Sequence, residues 1–173
     1  MDELLEMIKW ILPAVLMGGM TFLLLKKYLD NEERKRKYEI RKNLNEHTLP
    51  IRLQAYERII LFLERISPQS LLMRIPAQRK TVRDYQTVLL QTIRSEFEHN
   101  LTQQIYVSNN GWEISKRAKE EIIKIINVTA NNLKQNDPAI ELSKAIFSMI
   151  SKNDKLPTQV AIEYLKKEVK QLF

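Results

Sequence analysis

The sequence predicts an all-α protein: one N-terminal transmembrane helix, a charged helical stalk, then a bundle of about five helices. Three observations predict it. Only three residues are glycine, and Gly18 and Gly19 sit together in an apolar segment, so the rest of the chain holds Gly111 alone. Sandwiches and barrels need many tight turns with positive φ, which glycine usually supplies, whereas a Glu/Lys/Leu/Ile-rich chain without it favours helices. Apolar residues recur at helical spacing, and proline or capping residues mark where each periodic stretch restarts.

The first element spans residues 1–28. From Trp10 to Leu25 the chain reads WILPAVLMGGMTFLLL, with no charged residue. A spanning helix needs about 20 apolar residues to cross ~30 Å, and starting at Leu4 gives enough length. Glu6 and Lys9 then fall in the first turns, where long side chains reach the headgroups. Trp10 and Tyr28 sit near the two ends, as interfacial aromatics do, and Pro13 in an early turn is tolerable in a membrane helix. A cleaved signal peptide wants a basic start and a small-residue cleavage site; the start here is acidic and the run ends in LLLKKYLD. An interfacial helix would show a polar face, which is missing. Ala14 and Gly18 form a small-xxx-small pair, widened by Gly19, that would let two such helices approach closely. A homo-oligomer is therefore one alternative, although such pairs are common by chance.

Charge sets the direction. Asp2, Glu3 and Glu6 precede the span; Lys26, Lys27, Arg34, Lys35, Arg36 and Lys37 follow it. Positive flanks stay in the cytoplasm, so the N-terminus is expected outside and the remainder inside. The same basic residues would suit anionic lipid headgroups, at ~1 kcal/mol each.

Residues 29–47 carry charge on every side, with Leu29, Tyr38, Ile40 and Leu44 as the apolar exceptions, and read as a helical stalk or linker. Residues 48–173 read as the bundle. A helix is expected to begin at Thr48-Leu49-Pro50, a capping residue followed by a first-turn proline, and to run to Ser67-Pro68 on Leu53, Tyr56, Ile60 and Leu63. A short helix follows, from Pro68 to Ile75. Thr81-Val82-Arg83-Asp84 matches a capping box, opening a helix to about Gln104 with the stripe Tyr85, Leu89, Ile93, Phe97 and Leu101. Ser108-Asn109-Asn110-Gly111 reads as a turn. The next helix carries Ile114, Ala118, Ile122 and Ile126. Asp137-Pro138 starts another, broken at Lys152-Asn153-Asp154, and Pro157 opens the last, with Val160, Ala161, Leu165, Val169 and Leu172.

Three stretches, LQAYERIILFLERISPQSLL, LLQTIRSEFEHNLTQQIYVS and LPTQVAIEYLKKEVKQLF, resemble a bacterial family of unknown function whose members carry an N-terminal membrane segment and then a helical domain. The likeness covers most of residues 50–173. It implies membrane anchoring; taken with the apolar run and its flanking charges, the chain is expected to be single-pass in the cell inner membrane with the C-terminal domain cytoplasmic. It implies no activity, cofactor or site residue.

Composition narrows the chemistry. Cysteine is absent, which excludes disulfides, thiolate metal sites and a cysteine nucleophile. The net charge of +7 is of mixed sign and forms no dense basic stripe, so no nucleic-acid partner is expected. No catalytic, cofactor-binding or metal-binding residue is assigned, and no enzyme is expected. Glu96-Phe97-Glu98-His99 holds one Glu-x-x-His pair, but a di-iron carboxylate bundle needs two; a polar helix face with His99 near its C-terminus is the simpler reading. Glu57-Arg58 and Glu64-Arg65 repeat at seven residues on one helix, either as solvated ion pairs or as a partner-binding charge pattern. Asn127-Val128-Thr129 matches a glycosylation sequon but falls mid-helix on the expected cytoplasmic side. Tyr106 and Trp112, flanking Gly111, read as packing or capping residues. The function expected is a membrane-tethered scaffold, bound to lipid through its first helix and to a protein partner through its bundle. The alternatives are a helical metal-dependent enzyme and a lipid-headgroup or nucleic-acid binder acting through Arg74, Arg79, Lys80 and Arg83 or the stalk.

Overall fold

The computed structural model describes residues 2–151 and 155–171, the side chains of 2–16, 40–45 and 47 excepted. The described chain is all helical: α1 (Asp2–Ile66), α2 (Pro68–Arg74), α3 (Val82–Glu98), a 3-10 turn (Leu101–Ile105), α4 (Asn109–Asn131), α5 (Ala139–Ile150) and α6 (Pro157–Lys170). It divides into two compact units, Met1–Thr48 and Leu49–Phe173.

In the first unit, Met17 to Glu39 are helical and exposed, apart from half-buried Glu32. Arg36 and Lys37 pair with Glu32 and Glu33 at 3.9 and 3.7 Å. Acid four residues before base is the favourable order on a helix, worth a few tenths of a kcal/mol. No helix among the described residues is long and apolar enough to cross a membrane. Of the expected span, Trp10, Pro13 and Ala14 lie outside the described side chains; the described stretch from Met17 to Leu25 covers roughly 13 Å of helix, short of the ~30 Å of a hydrocarbon core. A Cβ on Gly18 or Gly19 would meet nothing within 4 Å.

The second unit is built on the C-terminal part of α1. Ala55, Tyr56, Ile59, Phe62, Leu63 and Ile66 are all buried, and their three- and four-residue spacing gathers them on one face. The same core is shared by Tyr85, Leu89 and Ile93 of α3, Ile122 and Ile126 of α4, Leu142 and Ile146 of α5, and Ala161 and Leu165 of α6. The chain stops α1 at Ile66 because Pro68 disfavours a helical Ser67, whose hydroxyl donates to the Glu64 carbonyl at 2.7 Å. Thr81 caps α3, its Oγ1 accepting from the Asp84 amide at 3.2 Å, while the Asp84 carboxylate takes the Thr81 hydroxyl at 2.8 Å. The loop before α3 pairs with the loop before α5: Val82 N–H donates to Asp137 O and Ala139 N–H to Lys80 O.

Three expectations are corrected. No helix begins at Thr48-Leu49-Pro50, since α1 includes these residues; Pro50 lacks an amide hydrogen and leaves the helix one bond short there. The α3 helix ends at Glu98, not near Gln104, and residues 101–105 tighten into a 3-10 turn that leaves Leu101 exposed. Ser108–Gly111 is not a free turn but the N-cap and first turn of α4. The break expected at Lys152-Asn153-Asp154, and Leu172, lie outside the described residues.

Two core positions yield tests. The Tyr85 hydroxyl donates to the Ile75 carbonyl at 2.8 Å. Burial raises its pKa above the ordinary 10.0, against a smaller opposing effect from Ser143. A raised pKa adds stability below the unfolded value that is lost as pH climbs through the folded one. Tyr85→Phe should lose about 1–3 kcal/mol near neutrality by orphaning that carbonyl, and its deficit against the parent should shrink above pH 10.0. Urea titrations across that range measure this; a gap independent of pH would contradict it. The Thr158 hydroxyl is buried with no hydrogen-bond partner among the described residues, so Thr158→Val should be neutral or stabilise by up to about 1 kcal/mol. A clear loss in the same titration would show that the hydroxyl has a partner.

Candidate functional site

Of the residues marked in the sequence, Arg65, Arg74, Glu96 and His99 gather near the end of α1 and the C-terminal turns of α3. Glu96 faces inward, its side chain 16% exposed, and one oxygen, Oε1, receives Arg65 Nε at 3.0 Å and Arg74 Nη1 at 3.2 Å. A second donor of Arg74 reaches the Arg65 carbonyl at 3.0 Å, which folds α2 back on α1. His99 caps α3 in the open, with Nδ1 2.6 Å from the Ser95 carbonyl. The Glu96–His99 pair therefore does not converge on a cation: the carboxylate is neutralised by two guanidinium groups, and no group of three or more metal-donor side chains forms among the described residues.

Between these helices lies an open groove of about 740 Å³. The α1 wall carries Arg58, Leu61 and Arg65 over a floor of Phe62; the α3 wall carries Ser95 and His99. Phe62 continues into a row of rings, 5.8 Å from Phe97, which stacks on Trp112 at 5.4 Å. The Lys119 ammonium sits 4.0 Å over the Phe97 ring, a cation–π contact from α4. Trp112 thus packs as expected, and Tyr106 contributes its carbonyl to Arg52 Nε at 3.3 Å.

A polar tie that the sequence reading missed lies at the start of α4. Ser108 Oγ accepts from the Gly111 amide at 2.8 Å and donates to Glu168 Oε1 at 2.6 Å. Tyr56 and Tyr164 hydroxyls reach the same carboxylate at 3.3 and 3.4 Å. The carboxylate rests at a helix N-terminus, where the dipole favours an anion, and joins α6 to α4 and α1. The serine acts as a cap in direct contact with the acid, with no imidazole between them, so the arrangement is a structural clamp. Its one legible signal was the single glycine of the bundle: a Cβ at Gly111 would come 2.7 Å from Glu168 Oε2 and 3.0 Å from Leu165 Cδ2.

The remaining marked residues do not converge. Lys26, Lys27, Arg34, Lys35, Arg36 and Lys37 line α1 in the first unit, exposed, two of them in the ion pairs above. Of the basic set Arg74, Arg79, Lys80 and Arg83, Arg74 is turned to Glu96 and the Lys80 ammonium donates to the Pro76 carbonyl at 2.9 Å. Asn127 of the sequon accepts from Gln86 Nε2 at 2.8 Å, about one turn before α4 ends at Asn131.

These features define an all-α protein with an open inter-helix groove beside an aromatic and polar scaffold. The chain belongs to a family of unknown function, DUF7935, whose model matches residues 2–172. Nothing among the curated proteins or the solved structures matches it.

The clamp is tested by Gly111→Ala. In an open helix this change gains about 1 kcal/mol; here it should lose about 1–3 kcal/mol, because the clamped carboxylate and Leu165 must move. In a Glu168→Ala background the loss should shrink, a coupling of roughly 0.5–3 kcal/mol in a double-mutant cycle. Strict additivity would show that crowding at Glu168 is not the cause.

Proposed function

We propose that this chain is a membrane-tethered helical module that holds a protein partner at the cytoplasmic face of a bacterial inner membrane. The observation that carries the reading is the apolar surface of α1. Met17, Met20, Phe22, Leu23, Leu24 and Leu25 are exposed by 56–73%, and contiguous apolar surface of that kind marks contact with lipid or protein. Upstream the sequence stays free of charge back to Trp10, and the basic residues from Lys26 onward follow it, which supports a single pass with the N-terminus outside. The second unit supports the interaction role, since its core is complete without that surface and its groove stays open. The reading assigns the module no reaction.

Membranes from cells making the full chain should retain it through an alkaline carbonate wash, and a reporter fused after Phe173 should be active in the cytoplasm. Gly18→Arg, where no neighbouring atom would obstruct a side chain at Cβ, should lower the retained fraction, since Arg near a span centre costs about 2.5–3.5 kcal/mol. A freely soluble parent, or a reporter active outside the cytoplasm, would overturn the reading.

A further inference from the structure

Leu61 is the exception on the last turns of α1. Its large apolar neighbours Ile59, Phe62, Leu63 and Ile66 are buried, yet Leu61 is 55% exposed at the groove's edge. Two lines of charge flank it. Arg58 and Arg65 line the groove, whereas the exposed Glu57 and Glu64 do not. The seven-residue repeat of Glu-Arg pairs thus becomes two parallel edges of opposite sign on either side of Leu61. The Arg58 side chain makes no ion pair or hydrogen bond with any described residue. Arg65 pairs with Glu96 with Nε 3.0 Å from Oε1, and its side chain stays exposed by 46%. The acid lining the groove, Glu96, is already matched by two arginines, so the groove side is left with a net positive charge.

Resting on the interaction role proposed above, we propose that this groove receives an amphipathic helix of a protein partner. Its apolar ridge packs on Leu61 and Phe62, its acidic flank meets Arg58 and Arg65, and its basic flank lies toward Glu57 and Glu64. Glu96 shows the geometry at one end, since a carboxylate already sits on Arg65 there. The two arginines are seven residues apart, about 10.5 Å along a helix, so carboxylates seven apart on the partner match them. The acidic edge beside Leu61 argues against nucleic acid, whose phosphates it would repel. The charge pattern adds orientation and discrimination to the apolar contact.

The probe is a stapled helical peptide of about four turns, with a leucine ridge, Glu at positions seven apart on one flank and Lys on the other. A second peptide has the two flanks exchanged. Binding to the detergent-solubilised full chain is read by fluorescence anisotropy. The matched peptide should bind at least about tenfold tighter than the exchanged one. Arg58→Glu should remove that preference, and Lys116→Glu, on exposed α4 surface, should leave it unchanged. Arg58 and Leu61 are exposed, so Arg58→Glu and Leu61→Asp should keep the parent's melting temperature, and Leu61→Asp should abolish binding of both peptides. Equal binding of the two peptides, no binding, or indifference to Arg58→Glu would overturn the inference. So would self-association of the full chain that Arg58→Glu abolishes, which would make a second copy the occupant. The assay is independent of the tether, which stands or falls on the carbonate wash. A partner crosslinked in cells as well by Arg58→Glu as by the parent would remove the groove and leave the module.

Discussion

The second unit is held by one shared core, to which α1 brings a single buried face. Tyr56, Ile59, Phe62, Leu63 and Ile66 have essentially no contact with solvent, and each such side chain contributes about 1.5–3 kcal/mol relative to exposure. The helices after α1 bring their own stripes to the same core. The same periodicity fixes what cannot be buried. With positions 55, 56, 59, 62, 63 and 66 turned inward, positions 57, 58, 61, 64 and 65 must face out, because at 3.6 residues per turn they fall on the opposite side of the helix. The charged edges and the exposed leucine are thus the geometric complement of the core.

The groove also inherits its rigidity from the core. Its floor, Phe62, is the first ring of a row that reaches Trp112 on α4. Trp112 directly follows Gly111, whose missing side chain lets Glu168 close on Ser108 and Tyr56. One set of contacts thus ties α1, α3, α4 and α6 within a few residues of the groove, while α2 is held by the Arg65–Glu96–Arg74 bridge. A partner would meet a floor already packed in place, which limits the ordering entropy that binding costs.

What could be read from the sequence was whatever depends on neighbours along the chain. The stop at Ser67-Pro68, the cap at Thr81, and the starts at Pro138 and Pro157 are local events, and each lies within a residue or two of its expected place. Thr48-Leu49-Pro50 carries the same local marks as a helix start, yet α1 runs through them, since a proline within a helix removes one bond without dictating an end. Ser108-Asn109-Asn110-Gly111 has turn composition, but its glycine is required by an atom of residue 168, far along the chain. The Glu96–His99 pair looked like half of a metal motif because the arginines that neutralise Glu96 sit 31 and 22 residues before it. The charge repeat on α1 was visible, but which of its edges faces a groove was not, because that depends on where α3 lies.

The tether and the groove make physical sense together on the proposed reading. An open groove with one exposed leucine and one unpaired guanidinium gives little buried area, and exposed ion pairs add about 0–1 kcal/mol each. Such a site binds weakly when both molecules diffuse freely. Confining it to a membrane surface raises the effective concentration of any partner held at the same surface, and avidity then grows with no new contact. Weak intrinsic binding has its own use, because the partner leaves quickly once it is no longer held there. The open site and the apolar surface of α1 would then divide the work, with recognition in the charge pattern and residence set by the membrane.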